Sequence, residues 1–353
     1  MKSITQTHIK WLLLLAIVAA AVIFGMPHHD AAAIGLIAFG LNTAAPFPVT
    51  PEHQAIALAY RNKKLIADDV LPRSMVYSES FRYDVYDKGE FLTITDTRVG
   101  RKGKPNEIEF TGTETSASTN DEGLDGLVPQ GDINKAATLG MPNPVNKMVE
   151  WLTGQVQLRR EQRAAQIVHS TATYADANKV TLSGTSQWSD YTNSSPLKVI
   201  VAAMDGMFFR PNVAVMGQAV SSVLRMHPKV VKAYNGSLGD DGMVPLQFLA
   251  DLLELDKILV GQAWANTAKK GQAASLARLW GKHFALLYQD PMADFQNPSP
   301  TFGLTAQYGL RVAGAKEDGD IGLRGGQKVR SGESVKELVI ASDLGYLFAD
   351  AVA

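Results

Sequence analysis

No cysteine occurs among the 353 residues, which removes disulfides, thiolate zinc sites and cysteine nucleophiles together. The compartment stays open, since a cysteine-free chain suits either redox environment. Charge of one sign is not in excess either: 34 Lys and Arg stand against 35 Asp and Glu, a formal net charge of −1. Sequence-specific nucleic-acid binding normally shows as a basic bias and is not indicated. A shell around nucleic acid would need no such bias, because only its inner face meets the polymer. The chain carries no Walker loop, no dinucleotide-binding glycine fingerprint, no nucleophile elbow and no His-Glu-x-x-His helix, so an enzyme is the least supported class. No internal repeat is present.

Other apparent sites reduce to turns and linkers. Gly239-Asp240-Asp241-Gly242 resembles a polymerase metal turn, but turn formers surround it and a surface loop is the better reading. Asp318-Gly319-Asp320 lacks the further ligands of a calcium loop and reads as a hairpin turn. His28-His29 has no third ligand in view and reads as a linker. The other histidines, His8, His53, His169, His227 and His283, form no spacing that implies a site. Trp188, Trp264 and Trp280 read as core or interface anchors rather than a stacking site. No catalytic residue, metal or cofactor is therefore expected.

What the chain does have is a 46% hydrophobic content, enough for a large core in about two or three domains. Its N-terminus is apolar from Trp11 to Met26, with Lys2 and Lys10 before it. That run falls just below the roughly 17 to 25 residues of a membrane-spanning helix. A secretory signal or anchor, a mis-assigned start, a removable leader and a segment buried in an assembly all remain open. Pro46, Pro48 and Pro51 then mark a boundary, and Glu52 to Asp69 reads as a helix ended by Leu71-Pro72.

From Ser78 to about Asn120 the chain is β-patterned yet polar. Phe81, Tyr83 and Val85 alternate with Arg82, Asp84 and Tyr86, and Phe91 to Val99 resumes the pattern after a turn at Asp87 to Glu90. A long hairpin polar on both faces is not stable alone in water, so it is expected to lie across another protein chain. Arg82, Lys88, Arg101, Lys102 and Lys104 sit on it or at its turns. Alone they are solvated charges; in an assembly they are candidate intersubunit contacts.

Asp121 to Pro144, rich in Gly, Pro and Asp, reads as mostly loop. A long helix follows from about Pro144 to His169, with Val145, Met148, Val149, Leu152 and Val156 on one face. Its charged half, Arg159, Arg160, Glu161 and Arg163, is a solvated face by default, with contact to a neighbouring subunit as the alternative. Further on, Ser195-Pro196 starts a helix to about Phe209, and Pro211 to Gly217 is a short apolar strand. Helices at Gln218–Met226 and after Pro245 follow, then strands at Lys257–Ala263, Ala285–Tyr288, Thr305–Leu310 and Ser334–Ile340. The order is α+β, without regular βαβ units.

This succession resembles the tailed-phage major capsid proteins with the Hong Kong 97-like fold. The likeness is carried by Leu158 to Ala165, Trp188-Ser189-Asp190 to Ser195-Pro196, Arg210 to Gly217, Val223 to Val230, Leu255 to Gly261, Leu279 to Lys282 and Ile340 to Leu347, in collinear order from about Pro51 onwards. The resemblance implies an apolar segment of uncertain role at 1–47, an N-arm at 48–77, an E-loop at 78–120 and a P domain at 121–195 with its spine helix at 143–169. It also implies an A domain at 196–300 and a C-terminal β segment at 301–353 returning to the P domain. The implied partners are the chain itself in hexamers and pentamers, double-stranded DNA held non-specifically, portal and scaffold proteins and decoration proteins. Membrane association is not expected. The N-terminus departs from the charged helical scaffold of many relatives, so no maturation cleavage is inferred. Lys88 or Lys102 would supply one partner of an E-loop crosslink known in some relatives, but no Asn or assisting Glu is identified. An encapsulin-like compartment shell is the alternative within the fold, and a membrane-anchored or exported binding protein the alternative outside it.

Overall fold

The computed structural model describes residues 47–59, 65–85, 94–105, 107, 113–236, 239–269, 271–296 and 299–353. Trp11 to Met26, His28 and His29 lie outside them. The elements run α1 (Pro51–Ala59), α2 (Ala67–Val70), β1 (Arg73–Val76), β2 (Ser80–Val85), β3 (Thr113–Ser118), β4 (Asn120–Pro129), α3 (Gln130–Thr138) and α4 (Pro144–Val168). Then follow β5 (Lys179–Thr181), α5 (Pro196–Gly206), β6 (Val213–Gly217), α6 (Gln218–Met226), α7 (Pro228–Asn235), α8 (Leu246–Leu252) and β7 (Lys257–Gly261). The remainder is β8 (Trp264–Asn266), β9 (Leu276–Arg278), β10 (Phe284–Leu287), β11 (Gly303–Asp318), β12 (Gly326–Val339) and β13 (Gly345–Ala349). This is the expected α+β mixture.

Two larger sheets organise the chain, in the orders β1-β11-β12-β4 and β5-β13-β10-β6-β7. Helix α4 joins them. It begins where Pro144 sets the first turn and the Asn143 side chain accepts the Val145 N–H at 2.9 Å. Its 25 residues span about 37 Å at 1.5 Å per residue. Val145, Val149 and Leu152 pack with Val128, Ala313 and Val329 of the first sheet. Ala164, Ala165 and Val168 pack instead with Val213, Val215, Ala285 and Leu287 of the second. On the other face of that second sheet, Ala214, Met216, Phe284, Leu286 and Phe348 meet α5, α6, α7, α8 and Trp188. The period-two alternation of β6 thus feeds two separate cores.

The segment expected to be loop, Asp121 to Pro144, instead holds β4 and α3. Strand β4 pairs with β12 over the whole of Asn120 to Pro129. Gly126 marks close approach rather than looseness: a Cβ there would stand 2.6 Å from Met148 Sδ, so α4 rests on the bare backbone. The single helix expected from Glu52 to Asp69 is also not observed. Residues 60–64 lie outside the described residues, but Leu65 and Ile66 are not helical and α2 starts afresh at Ala67, where a carboxylate from α4 supplies the acceptor a new N-terminus needs. The segment at 301–353 divides: β11 and β12 belong to the first sheet and β13 to the second. The turn at Asp318 and the loop at Gly239 to Gly242 are as expected.

Candidate functional site: the hairpin and its anchorage

The β2–β3 pair is antiparallel with Ser80 opposite Ser118 and Val85 opposite Thr113. Neither strand joins another sheet. Among the described residues of the hairpin, this base is the laddered part. Residues 94–105 are extended or turning without a strand, and all are exposed. The expected strand from Phe91 to Val99 is therefore absent over Ile94 to Val99, and Phe91 to Thr93 lie outside the described residues. The physical reason is the one that marked the hairpin as dependent: a polar two-stranded ribbon has too little to bury. Ile94 is 98% exposed, an apolar side chain that no described residue covers.

The five expected contact residues separate by circumstance. Arg82 is bonded within the hairpin, its guanidinium 2.9 Å from the Glu114 carboxylate. Lys104 pairs with Glu107 beside the turn. Arg101 and Lys102 are exposed in the turn and have no ionic partner among the described residues. Lys88 lies outside the described residues.

The root of the hairpin is held by charges that the sequence presented as a solvated helix face. That reading is corrected: Arg160 is 2% exposed and Glu161 fully buried, while Arg159 is the member that faces solvent. Glu161 accepts the Ile66 and Ala67 N–H groups at 2.9 and 2.7 Å, and the Trp280 indole N–H at 2.6 Å. It thereby caps α2 from outside. Burial pushes the Glu161 carboxyl above its ordinary range, against the three N–H donors. Arg160 donates to Thr305 Oγ1 at 2.9 Å, to the Leu71 carbonyl at 3.2 Å and to Asp68. Burial would raise the Asp68 carboxyl, yet Arg160 and Arg73 outweigh it and hold the group at about 2.

Arg73, on β1, bonds Asp68 at 2.6 Å and Glu333 at 2.8 Å; Arg311 bonds Glu333 at 3.1 Å; Arg163 bonds Glu337 at 3.0 Å and Glu122 at 3.0 Å. Glu333 and Glu337 sit on the buried face of β12. This network ties α2, β1, β4, β11 and β12 to α4 just where the chain enters the hairpin. Nearby, the incoming arm is threaded over β11: the Thr50 N–H reaches the Ala313 carbonyl at 3.3 Å, and Phe47 lies 4.5 Å from the Arg330 guanidinium. Gly314 lets Pro48 pass, since a Cβ there would stand 2.0 Å from the Pro48 carbonyl oxygen.

Two features escaped sequence reasoning. Ser194 Oγ and His227 Nε2 lie 3.0 Å apart and buried, which superficially suggests a nucleophile and base. However, His227 Nδ1 accepts the Lys229 N–H at 3.2 Å, so the proton sits on Nε2 and is donated to Ser194. In that tautomer the imidazole caps α7 and offers no base to the hydroxyl. His169 packs edge-on to Trp280, with its ring 4.9 Å from His283, and its Nε2 is buried without a hydrogen-bond partner. The tryptophan expectation holds for Trp188 and Trp280, both buried; Trp264 is half-exposed with Arg278 stacked on it at 4.5 Å. No cluster of His, Asp or Glu suited to a metal ion occurs among the described residues.

A long helix joining two sheets, with a two-stranded hairpin that joins neither, is the Hong Kong 97-like fold. Solved structures share it. A phage-related protein from Bordetella bronchiseptica superposes with a TM-score of 0.68 at 23% identity, over 86% of this chain and 97% of that one. The capsid subunit of Cyanophage P-SCSP1u gives 0.50 at 12% identity, over 88% and 92%. The sequence is more specific. The major capsid protein of Pseudomonas phage JBD67 is 53% identical over 309 residues, 88% of this chain and 99% of that one. That of Burkholderia phage BcepMu is 24% identical over 314 residues, 85% and 96%. The family described as phage major capsid protein E matches residues 148–252.

The chain belongs to the phage major capsid proteins. It is a structural protein of the virion capsid that associates with copies of itself. The compartment-shell and membrane-anchored alternatives gain no support from these relatives. No helix among the described residues is long and apolar enough to cross a membrane.

Proposed function

We propose that the subunit forms the hexamers and pentamers of an icosahedral head around double-stranded DNA, with Ser78 to Asn120 laid over the adjacent subunit. The observation that carries this reading is the hairpin itself: among the described residues it ladders at its root, is exposed over 94–105 and bears Ile94 98% exposed. Such a ribbon gains its missing burial and its β partners from another copy. Of the charged candidates, Arg101 and Lys102 are the foremost intersubunit contacts, because Arg82 and Lys104 already have partners within the subunit. Lys88 keeps the same candidate role on sequence grounds.

In this reading 48–77 is the N-arm, 121–195 and β11–β12 form the P domain around α4, and 196–300 with β13 forms the A domain. DNA is enclosed rather than read, in keeping with a net charge of −1. Portal, scaffold and decoration proteins are the further partners. No catalytic activity is proposed. The test is deletion of Asp84 to Lys104 from the full chain. The expected product is a folded subunit that fails to form shells in electron micrographs, whereas the intact chain forms shells holding nuclease-protected DNA. Shells of normal size from the deletion would sink the intersubunit role of the hairpin.

A further inference from the structure

The hairpin does not simply stream away from β1. A loop distant in sequence, Asp290 to Gln296, is fastened to β1 and pressed on the hairpin root. Ser74 is the fastening point. Its hydroxyl is buried on β1, donates to the Asp294 carboxylate and accepts the Phe295 N–H at 3.2 Å. The loop is stiffened by its own turn, with the Ala293 N–H on the Asp290 carbonyl at 3.1 Å and the Met292 N–H on the Asp290 carboxylate at 2.9 Å. From this platform Phe295 projects between two β2 side chains. Its ring lies 5.1 Å from Phe81 and 6.1 Å from Tyr83, edge-on to both. Those two rings occupy one face of β2 because they are two residues apart.

We propose that Phe295, seated by the Ser74–Asp294 pair, is a positioning residue that sets the direction in which the β2–β3 hairpin leaves the body. The two strands ladder only with each other. Hydrogen bonds at the root include the Thr119 N–H to the Glu79 carbonyl at 2.9 Å and the Ser334 hydroxyl to Thr119 Oγ1 at 3.0 Å. Both lie at the base, close to the pivot, and resist rotation weakly. An aromatic wedge further along β2 acts at a longer lever arm. Ser74 itself is held in register by β1 pairing with β11, Ser74 opposite Ala306. The orientation is thus referred back to the sheet and not to the hairpin's own stiffness. The consequence for shell building rests on the intersubunit reading above; the positioning does not.

The test is hydrogen exchange on the full chain before assembly, comparing wild type with Phe295→Ala and Phe295→Tyr. In Phe295→Ala the amides of Ser80–Val85 and Thr113–Ser118 are expected to exchange about tenfold faster, with β6 and β10 unchanged, as for loss of two edge-on ring contacts at a locally opening element. Phe295→Tyr keeps the ring and is expected to retain wild-type protection. Asp294→Ala, which leaves the ring in place and loosens its seat, is expected to fall between them. Hairpin exchange unchanged in Phe295→Ala overturns the proposal, and so does faster exchange throughout the chain, which would make Phe295 an ordinary core residue. If the hairpin loosens in Phe295→Ala, the positioning role stands whether or not the deletion of Asp84 to Lys104 forms shells; that deletion alone decides the intersubunit reading.

Discussion

Two charged stretches of similar appearance have opposite fates in this subunit. On α4, Arg160 and Glu161 are sealed between helix, sheet and the start of α2. On the hairpin, Arg82 and Lys104 make single ion pairs in water and Arg101 and Lys102 make none among the described residues. The α4 charges are costly to expose singly, because each is a partner to buried groups. The hairpin charges are cheap to alter within the subunit, and the role proposed for them lies with a neighbour. The subunit therefore invests its strong electrostatics in fixing the root of the arm and leaves the arm soluble.

The comparison is broken most severely by Glu161→Ala. It strands the Ile66, Ala67 and Trp280 N–H groups, and should cost on the order of 3–5 kcal/mol of unfolding free energy. Denaturant melts of the unassembled subunit measure this; a loss below about 1 kcal/mol would show that water replaces the carboxylate. Trp188→Ala is the uncharged control. Its indole meets Phe284 and Phe348 at 5.2 and 5.6 Å, and removal should cost about 3–5 kcal/mol. An unchanged melting temperature would contradict that placement.

A pH series sharpens the same contrast with a smaller effect. Burial first, and His283 second, hold the His169 imidazole at about 3, below its ordinary 6.5. A lowered folded value means the unfolded chain binds the extra proton. This stabilisation is therefore whole above about pH 6.5 and is lost as the pH falls towards 3. Asp68 is also depressed, to about 2 from 3.8, so its stabilisation is lost only below about pH 4. His169→Phe should flatten the stability profile between pH 6.5 and 4 while leaving the steeper fall below it. An unaltered slope in the upper window would assign it to other histidines.

The smallest effects on folding belong to the hairpin. Arg82→Ala should change subunit stability by less than about 1 kcal/mol, as an exposed pair does. Arg101→Glu with Lys102→Glu should leave the melting curve within about 0.5 kcal/mol yet slow or abolish shell formation, followed by light scattering. Normal assembly of the double variant would remove these two residues from the interface.

Much of this architecture was legible in the chain. Asn143-Pro144 announces α4 because capping and a first-turn proline are local chemistry, and Val145, Val149 and Leu152 show its buried face by spacing alone. The apolar run at Val213 to Gly217 declares a buried strand for the same reason. What escaped depended on distant partners. β4 reads as loop because Gly123 and Gly126 are loop residues locally, and only the proximity of α4 shows that Gly126 marks a close approach. Arg160 and Glu161 read as solvated because the groups they serve, Ile66, Ala67, Trp280 and Thr305, lie far along the chain. Phe295 carries no local signal of its link to Phe81.

By itself, the sequence determined the periodic elements, the absence of thiol chemistry and the polarity of an arm that cannot stand as a sheet of its own. Those properties are set by residues within a few positions of one another. The tertiary structure alone decided which charges are buried, where the strand glycines are needed and what steers the hairpin. Those depend on groups distant along the chain, 22 residues apart for Gly126 and Met148 and 94 or more for Glu161 and the groups it serves, whose meeting is fixed by the packing of α4 between two sheets and by no local pattern.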